Sequence, residues 1–205
     1  MVWRPCEVGR GQPDPGGMGC QPSMIRAQIM DQRTLAQLDI IREISNALTC
    51  ARVDHWLFGG WAVDFAVGEM TRQHRDVDFV TWEVDLPRIT ELLRLLGYRA
   101  RASQHPKHQL NWEKSGTEVQ INLITQTTDG SLISPGTFSD WPWLEGSFGN
   151  HWGRIGDLDV PIVSPAGQLE SKENFSKHPA GQPLRAKDLH DIKQLRTLTR
   201  SAQRE

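Results

Sequence analysis

Residues 59–80 read GGWAVDFAVGEMTRQHRDVDFV. A double glycine leads into a short apolar helical segment, and the stretch ends in an extended run carrying His74, Asp76 and Asp78. Residues two apart on a strand face the same way, so Asp76 and Asp78 project side by side, about 6–7 Å apart at their Cα atoms. Val77, Phe79 and Val80 supply the apolar residues that seat such a strand in a core. Two carboxylates on one edge repel and must be desolvated together, which serves folding poorly. A cation removes the conflict. Hard oxygen donors suit Mg²⁺, which takes one or two carboxylates together with water and substrate phosphates. Gly59 and Gly60 let the backbone approach a phosphate closely, and a helix N-terminus behind them adds partial positive charge. These residues point to a metal-dependent nucleotide-handling site.

The order Gly-Gly, helical turn, Thr-Arg-x-His-x-Asp-x-Asp resembles the nucleotidyltransferase superfamily of DNA polymerase beta. More narrowly, GGWAVDFAVGEMTRQHRDVDF is similar to the aminoglycoside and lincosamide nucleotidyltransferases. The likeness is firm over residues 30–125 and looser to about 195. It implies an α+β, polymerase-beta-like fold with a mixed sheet flanked by helices and a small C-terminal helical part. The implied reaction moves a nucleoside monophosphate, AMP from ATP, to a hydroxyl of a small acceptor such as an aminoglycoside or lincosamide, releasing pyrophosphate. Asp76 and Asp78 would then hold two Mg²⁺ ions on the nucleoside triphosphate. Glu118 stands where the family places a third carboxylate, to bind metal or accept the hydroxyl proton. Gln120, two residues on, cannot act as a base. Gly59 and Gly60 would meet the triphosphate through backbone N–H groups, and the Arg72 guanidinium could clamp phosphate oxygens in a bidentate way. His74 shares the parity of the two acids and serves either in nucleotide binding, by positioning or phosphate contact, or in a structural hydrogen bond, while Asp64 orients a neighbour. Near the C-terminus, Arg185-Ala-Lys187-Asp188-Leu-His-Asp191 resembles the family's closing RxKDxxD pattern. By that resemblance Lys187 reaches the phosphates and Asp188 and Asp191 are structural; a solvated helix face with i,i+4 charge pairs fits equally.

A chain of 205 residues holds one domain, or one with a small appendage. The formal net charge of −2 argues against a nucleic-acid partner. Cys6, Cys20 and Cys50 are odd in number and lack metal-site spacing, which suits a reducing cytoplasm. No run is long and apolar enough for a membrane span, and no signal peptide is apparent, so the protein reads as soluble and cytoplasmic. Residues 1–23, rich in Gly and Pro, read as a disordered arm or as translation from upstream of a natural start at Met24 or Met30. Residues 24–199 form the catalytic domain, with its core at 30–125 and a C-terminal part at 126–199.

Along the chain, Asp31 caps a helix with Leu35, Leu38, Ile41, Ile44 and Leu48 inward. His55 to Phe58 is a strand, Trp61 to Val67 a buried helix stopped by Gly68, and Asp76 to Thr81 the central strand. Asp85 caps a helix burying Ile89, Leu92, Leu93, Leu95 and Leu96. Strands follow at 98–102, 109–112 and 118–125. The last alternates, with Val119, Ile121 and Leu123 on one face and Glu118, Gln120 and Asn122 on the other. Residues 148–163 hold a hairpin, Ser164-Pro165 opens a helix to about Glu173, and residues 185–199 form a final helix with Leu189, Ile192, Leu195 and Leu198 inward. Trp141, Trp143 and Trp152 could line an acceptor pocket. Glu113, Asp140 and Glu145 are the acids at hand for a cationic acceptor. Two rival readings remain: a transferase acting on a protein or tRNA end, and a degenerate fold that binds nucleotide without turnover.

Overall fold

A computed structural model describes residues 31–202; the arm 1–23 with Cys6 and Cys20, and the alternative starts Met24 and Met30, lie outside the described residues. In chain order the elements are α1 (Gln32–Cys50), β1 (His55–Phe58), α2 (Gly59–Val67), β2 (Asp76–Trp82), α3 (Leu86–Leu95), β3 (Arg99–Arg101), β4 (Gln109–Lys114), β5 (Thr117–Gln126), β6 (Leu132–Ile133), β7 (Trp152–Ile155), β8 (Leu158–Pro161), α4 (Pro165–Phe175) and α5 (Ala186–Ala202). The main sheet runs β1-β2-β5-β4-β3, with β6 also paired to β5. β2 and β5 are parallel and the remaining pairs antiparallel, so the sheet is mixed. β7 and β8 form a separate hairpin, whose end joins β1 through the Leu57–Ile162 bridge. Among the described residues no helix is long and apolar enough to cross a membrane.

Alternation along β2 creates the two faces on which everything else depends. Val77 and Phe79 are fully buried with Val119, Ile121 and Leu123 of β5, beneath α1 and α3. The opposite face of β2 carries Asp76, Asp78, Val80 and Trp82. Its far half is apolar, where Val80 packs with Trp56, Ile124 and Val163. Its near half is acidic and opens to solvent. One strand therefore anchors in the core while it presents carboxylates at one end.

Several expectations need correction. In α1, Leu35 is 49 % exposed, because Thr34 and Gln37 occupy the buried positions of the first turns. Gln37 has a reason to be inside: it donates to the His74 carbonyl and accepts from Trp61 Nε1. Leu95 is 78 % exposed and Leu189 57 % exposed. Leu95 lies two residues, about 200°, beyond buried Leu93, and Leu189 lies as far before buried Asp191. Each points away from its helix's packed stripe. Asp85 occupies the N-cap position of α3 but makes no cap hydrogen bond; it pairs with Arg88 instead. Asp31 and Ser164 do cap, accepting from Thr34 N and Gly167 N.

Gly153 fastens the hairpin to α2. A Cβ there would sit 2.7 Å from both the carbonyl carbon and the Cβ of Phe65, so only glycine lets the two backbones meet. Gly153→Ala must push β7 off α2 and is expected to cost about 1–3 kcal/mol, in the range of overpacked cores. Urea unfolding with an unchanged m-value is the measurement; a midpoint equal to wild type would contradict this packing.

Candidate active site

β1 and α2 meet without a connecting loop, and the site begins at that junction. Phe58, the N-cap residue of α2, offers no side-chain cap, so the first N–H groups of the helix have no such partner. Gly59 takes φ +69°, and a Cβ on it would lie 2.5 Å from Asp78 Oδ2. A Cβ on Gly60 would strike Arg72 and His74. The glycines thus let a helix N-terminus settle directly onto Asp78 and the loop that carries Arg72 and His74.

Asp78 pairs across the sheet with Phe58 on one side and Gln120 on the other, and Asp76 pairs with Glu118. Burial, reinforced by the neighbouring Asp76 charge, pushes the Asp78 carboxyl up to about 7. The positive charges of Lys172 and Lys187 partly offset this. A carboxylate so burdened by desolvation and by its twin fits a divalent cation, which would remove both penalties. Asp76 and Asp78 are the residues that could hold it. Among the described residues no three or more His, Cys, Asp or Glu side chains converge as a ready metal cage. Glu118 is exposed, accepts from Gln120 Nε2 at 3.2 Å, and lies outside the cavity wall, whereas Gln120 lines it.

The loop before β2 is pinned from both sides. His74 is buried, donates from Nε2 to Asp64 Oδ2 at 2.6 Å, and lies against the Trp61 ring. Thr71 donates to the other Asp64 oxygen at 2.5 Å. Asp64 is thus an orienting residue, as expected, and His74 both lines the cavity and makes a structural hydrogen bond. Arg72 forms a bidentate pair with Asp191 at 2.7 and 2.8 Å. Lys172 reaches the same carboxylate at 2.9 Å. Burial works to raise the Asp191 carboxyl, yet hydrogen bonding from Arg72 and the charge of Lys172 hold it below the usual range. Asp188 is held down in the same way against burial, by hydrogen bonds from Arg185.

The cavity bounded by these groups measures about 420 Å³. Gly59, Gly60, Arg72, His74, Asp76, Asp78 and Lys187 all line it, so the structure gathers every predicted site residue except Glu118. Lys172 joins them without having been foreseen. Its signal in the sequence was faint: Gln168, Ser171, Lys172 and Phe175 recur at helical spacing on α4. Part of the cavity wall is aromatic, with Phe138 against Phe175 at 5.7 Å and Trp141 stacked on Phe175 at 6.5 Å. Trp141 and Trp143 lie in this wall, whereas Trp152 is 56 % exposed on β7 and lies outside it. Of the acids proposed for a cationic acceptor, Glu113 pairs with Arg101 and Asp140 with His178, and neither lines the cavity; nor does Glu145. Glu170 does, held by Trp141 Nε1 and Asn174 Nδ2.

Comparison with known proteins places this arrangement. A lincosamide resistance protein of Staphylococcus haemolyticus is 28 % identical over 155 residues, covering 72 % of this chain and 87 % of the relative. The crystal structure of ANT(2'')-Ia in complex with adenylyl-2''-tobramycin superposes with a TM-score of 0.65 at 16 % identity, covering 82 % of this chain and 92 % of that one. The lincosamide antibiotic adenylyltransferase LnuA, lincomycin-bound, gives 0.59 at 23 % identity, covering 80 % and 96 %. At these identities the two structures establish a shared polymerase-beta-like fold. The sequence model of aminoglycoside-2''-adenylyltransferase matches residues 40–195, a span from the middle of α1 into α5 that contains every residue of the cavity described above. The chain therefore belongs to the aminoglycoside-2''-adenylyltransferase family and is a nucleotidyltransferase of the adenylyltransferase type.

Proposed function

We propose that residues 24–199 transfer AMP from ATP to a hydroxyl of a small antibiotic-type acceptor in the cytoplasm, releasing pyrophosphate. The observation that carries this reading is the Asp76–Asp78 pair facing the α2 N-terminus, with Arg72, Lys172 and Lys187 on the same cavity. Mg²⁺ on the two carboxylates would supply charge neutralisation for the attacking and leaving oxygens. The N–H groups behind Gly59 and the three cations bind and align the triphosphate. Most of the rate enhancement then comes from positioning, since phosphoryl chemistry asks little covalent work of the protein. Glu118, paired in register with Asp76, is the group proposed to accept the hydroxyl proton.

The aromatic wall supports an acceptor with apolar faces. Glu170 is the lining carboxylate that neither belongs to the acid pair nor is neutralised by a neighbouring guanidinium, as Asp188 is. One such acid suits an acceptor with a single amine, as in the lincosamide class, better than a polycationic aminoglycoside. The similarity to a lincosamide resistance protein agrees with this. Pyrophosphate release from each nucleoside triphosphate with Mg²⁺, screened over lincosamides, aminoglycosides and a no-acceptor control beside Asp76→Asn, tests the assignment. Acceptor-dependent release that vanishes in the variant is expected. Nucleotide binding with no stimulation by any acceptor would instead favour a protein acceptor or a binding-only module. In the same assay Glu118→Gln is expected to lower kcat about 10²-fold, the range of general base catalysis, with ATP binding retained. An unchanged kcat would remove Glu118 from the chemistry.

A further inference from the structure

We propose that α5 positions the site's cations: its consecutive residues His190 and Asp191 hold consecutive Thr71 and Arg72, and Asp191 also fixes Lys172, so that both cations meet the nucleotide phosphates. The inference rests on the nucleotidyl-transfer reading and adds residues that touch no substrate. His190 Nε2 donates to Thr71 Oγ1 at 3.0 Å, and the Thr71 hydroxyl passes its own proton to Asp64. Asp191 has no solvent exposure and takes Arg72 at 2.7 and 2.8 Å and Lys172 at 2.9 Å. The three partners come from three separate parts of the chain: the loop before β2, α4 and α5.

Charge and geometry distinguish this cluster from a structural ion pair. A buried carboxylate needs one cation to compensate it. Asp191 has two, so the trio of Asp191, Arg72 and Lys172 carries one positive charge more than it needs for its own balance. Both cations lie in the cavity wall, with side chains 17 % and 13 % exposed. Asp191 accepts two of the five guanidinium N–H groups and Gln73 O a third, so two remain on Arg72 for a ligand. Lys172 keeps two of its three. An anion with several oxygens completes the cluster, and a phosphate chain has that chemistry.

The test is calorimetric binding of magnesium pyrophosphate to the full chain, with circular dichroism confirming that each variant is folded. Asp191→Asn and Lys172→Met are each expected to weaken binding at least tenfold. The double variant should bind no more than about twofold worse than the weaker single, because Lys172 without Asp191 is no longer aimed. Asp191→Asn binding within twofold of wild type, or fully additive losses, would overturn the proposal, as would a wild-type protein that binds no pyrophosphate. If Asp191→Asn does not fold, half-buried His190→Ala carries the same expectation through Thr71, and unchanged affinity there counts against it equally. Pyrophosphate binding needs no acceptor. A wild type that binds it but transfers to nothing sinks the acceptor reading alone.

Discussion

Asp78→Asn is expected to lower nucleotidyl transfer by at least about 10³-fold, several kcal/mol of transition-state stabilisation, while making the ligand-free protein more heat-resistant at pH 7. The two effects share one cause. Burial and the Asp76 charge lift the Asp78 carboxyl from its ordinary 3.8 to about 7 in the folded state. A group whose folded value is raised contributes stability in full below its unfolded value, and that contribution is lost as pH rises through the folded value. The ligand-free wild type should therefore lose stability relative to Asp78→Asn between pH 4 and 7. The difference is the quantity to follow, since Asp191, held low by Arg72 and Lys172, acts in the opposite sense in both proteins. Thermal unfolding from pH 4 to 8 measures it, and Mg²⁺ with ATP should close the gap in the wild type only. A difference that does not change with pH would mean that Asp78 carries its charge without strain.

Gly59→Ala is the second large effect, and here conformation and contact act together. At φ +69° an alanine pays about 1–3 kcal/mol of backbone strain. Its methyl group would also meet Asp78 Oδ2 at 2.5 Å, so the carboxylate must move. A displacement near 1 Å in a positioning-dominated site can cost about 10²-fold. Gly97→Ala separates the causes: φ is +86° with nothing within 4 Å of the added carbon. That variant should lose stability and keep full turnover. Comparable turnover in the two alanine variants would show that backbone strain, not displacement of Asp78, governs the result.

What could be read in the sequence was whatever depends on local order. The period-two pattern around Asp76 and Asp78, the glycines that open α2, the helix starts at Asp31 and Ser164-Pro165, and the split faces of β5 each need only a few neighbouring residues. All four appear in the structure. Local order does not suffice where a second element decides. Leu95 and Leu189 look apolar and periodic, but the phase of a helix against its neighbour determines which Leu is covered. Glu118 and Gln120 share one face of β5, and only the parallel register with β2 sets Gln120 opposite Asp78. Lys172 was missed because nothing near it in sequence is acidic in the right direction; its partner is Asp191, on the next helix.

The ties from α5 to the cation loop also bear on how the molecule assembles. Arg72 and Asp191 are separated by 119 residues, as are Thr71 and His190. Contacts of such long range are gained only after the chain between them has been ordered, because loop closure must precede their reward. During refolding the sheet and its core can form while Arg72 and Lys172 still lack the carboxylate that aims them. Recovery of helical signal should therefore run ahead of recovery of nucleotide affinity, and the interval between them measures the docking of the last helix.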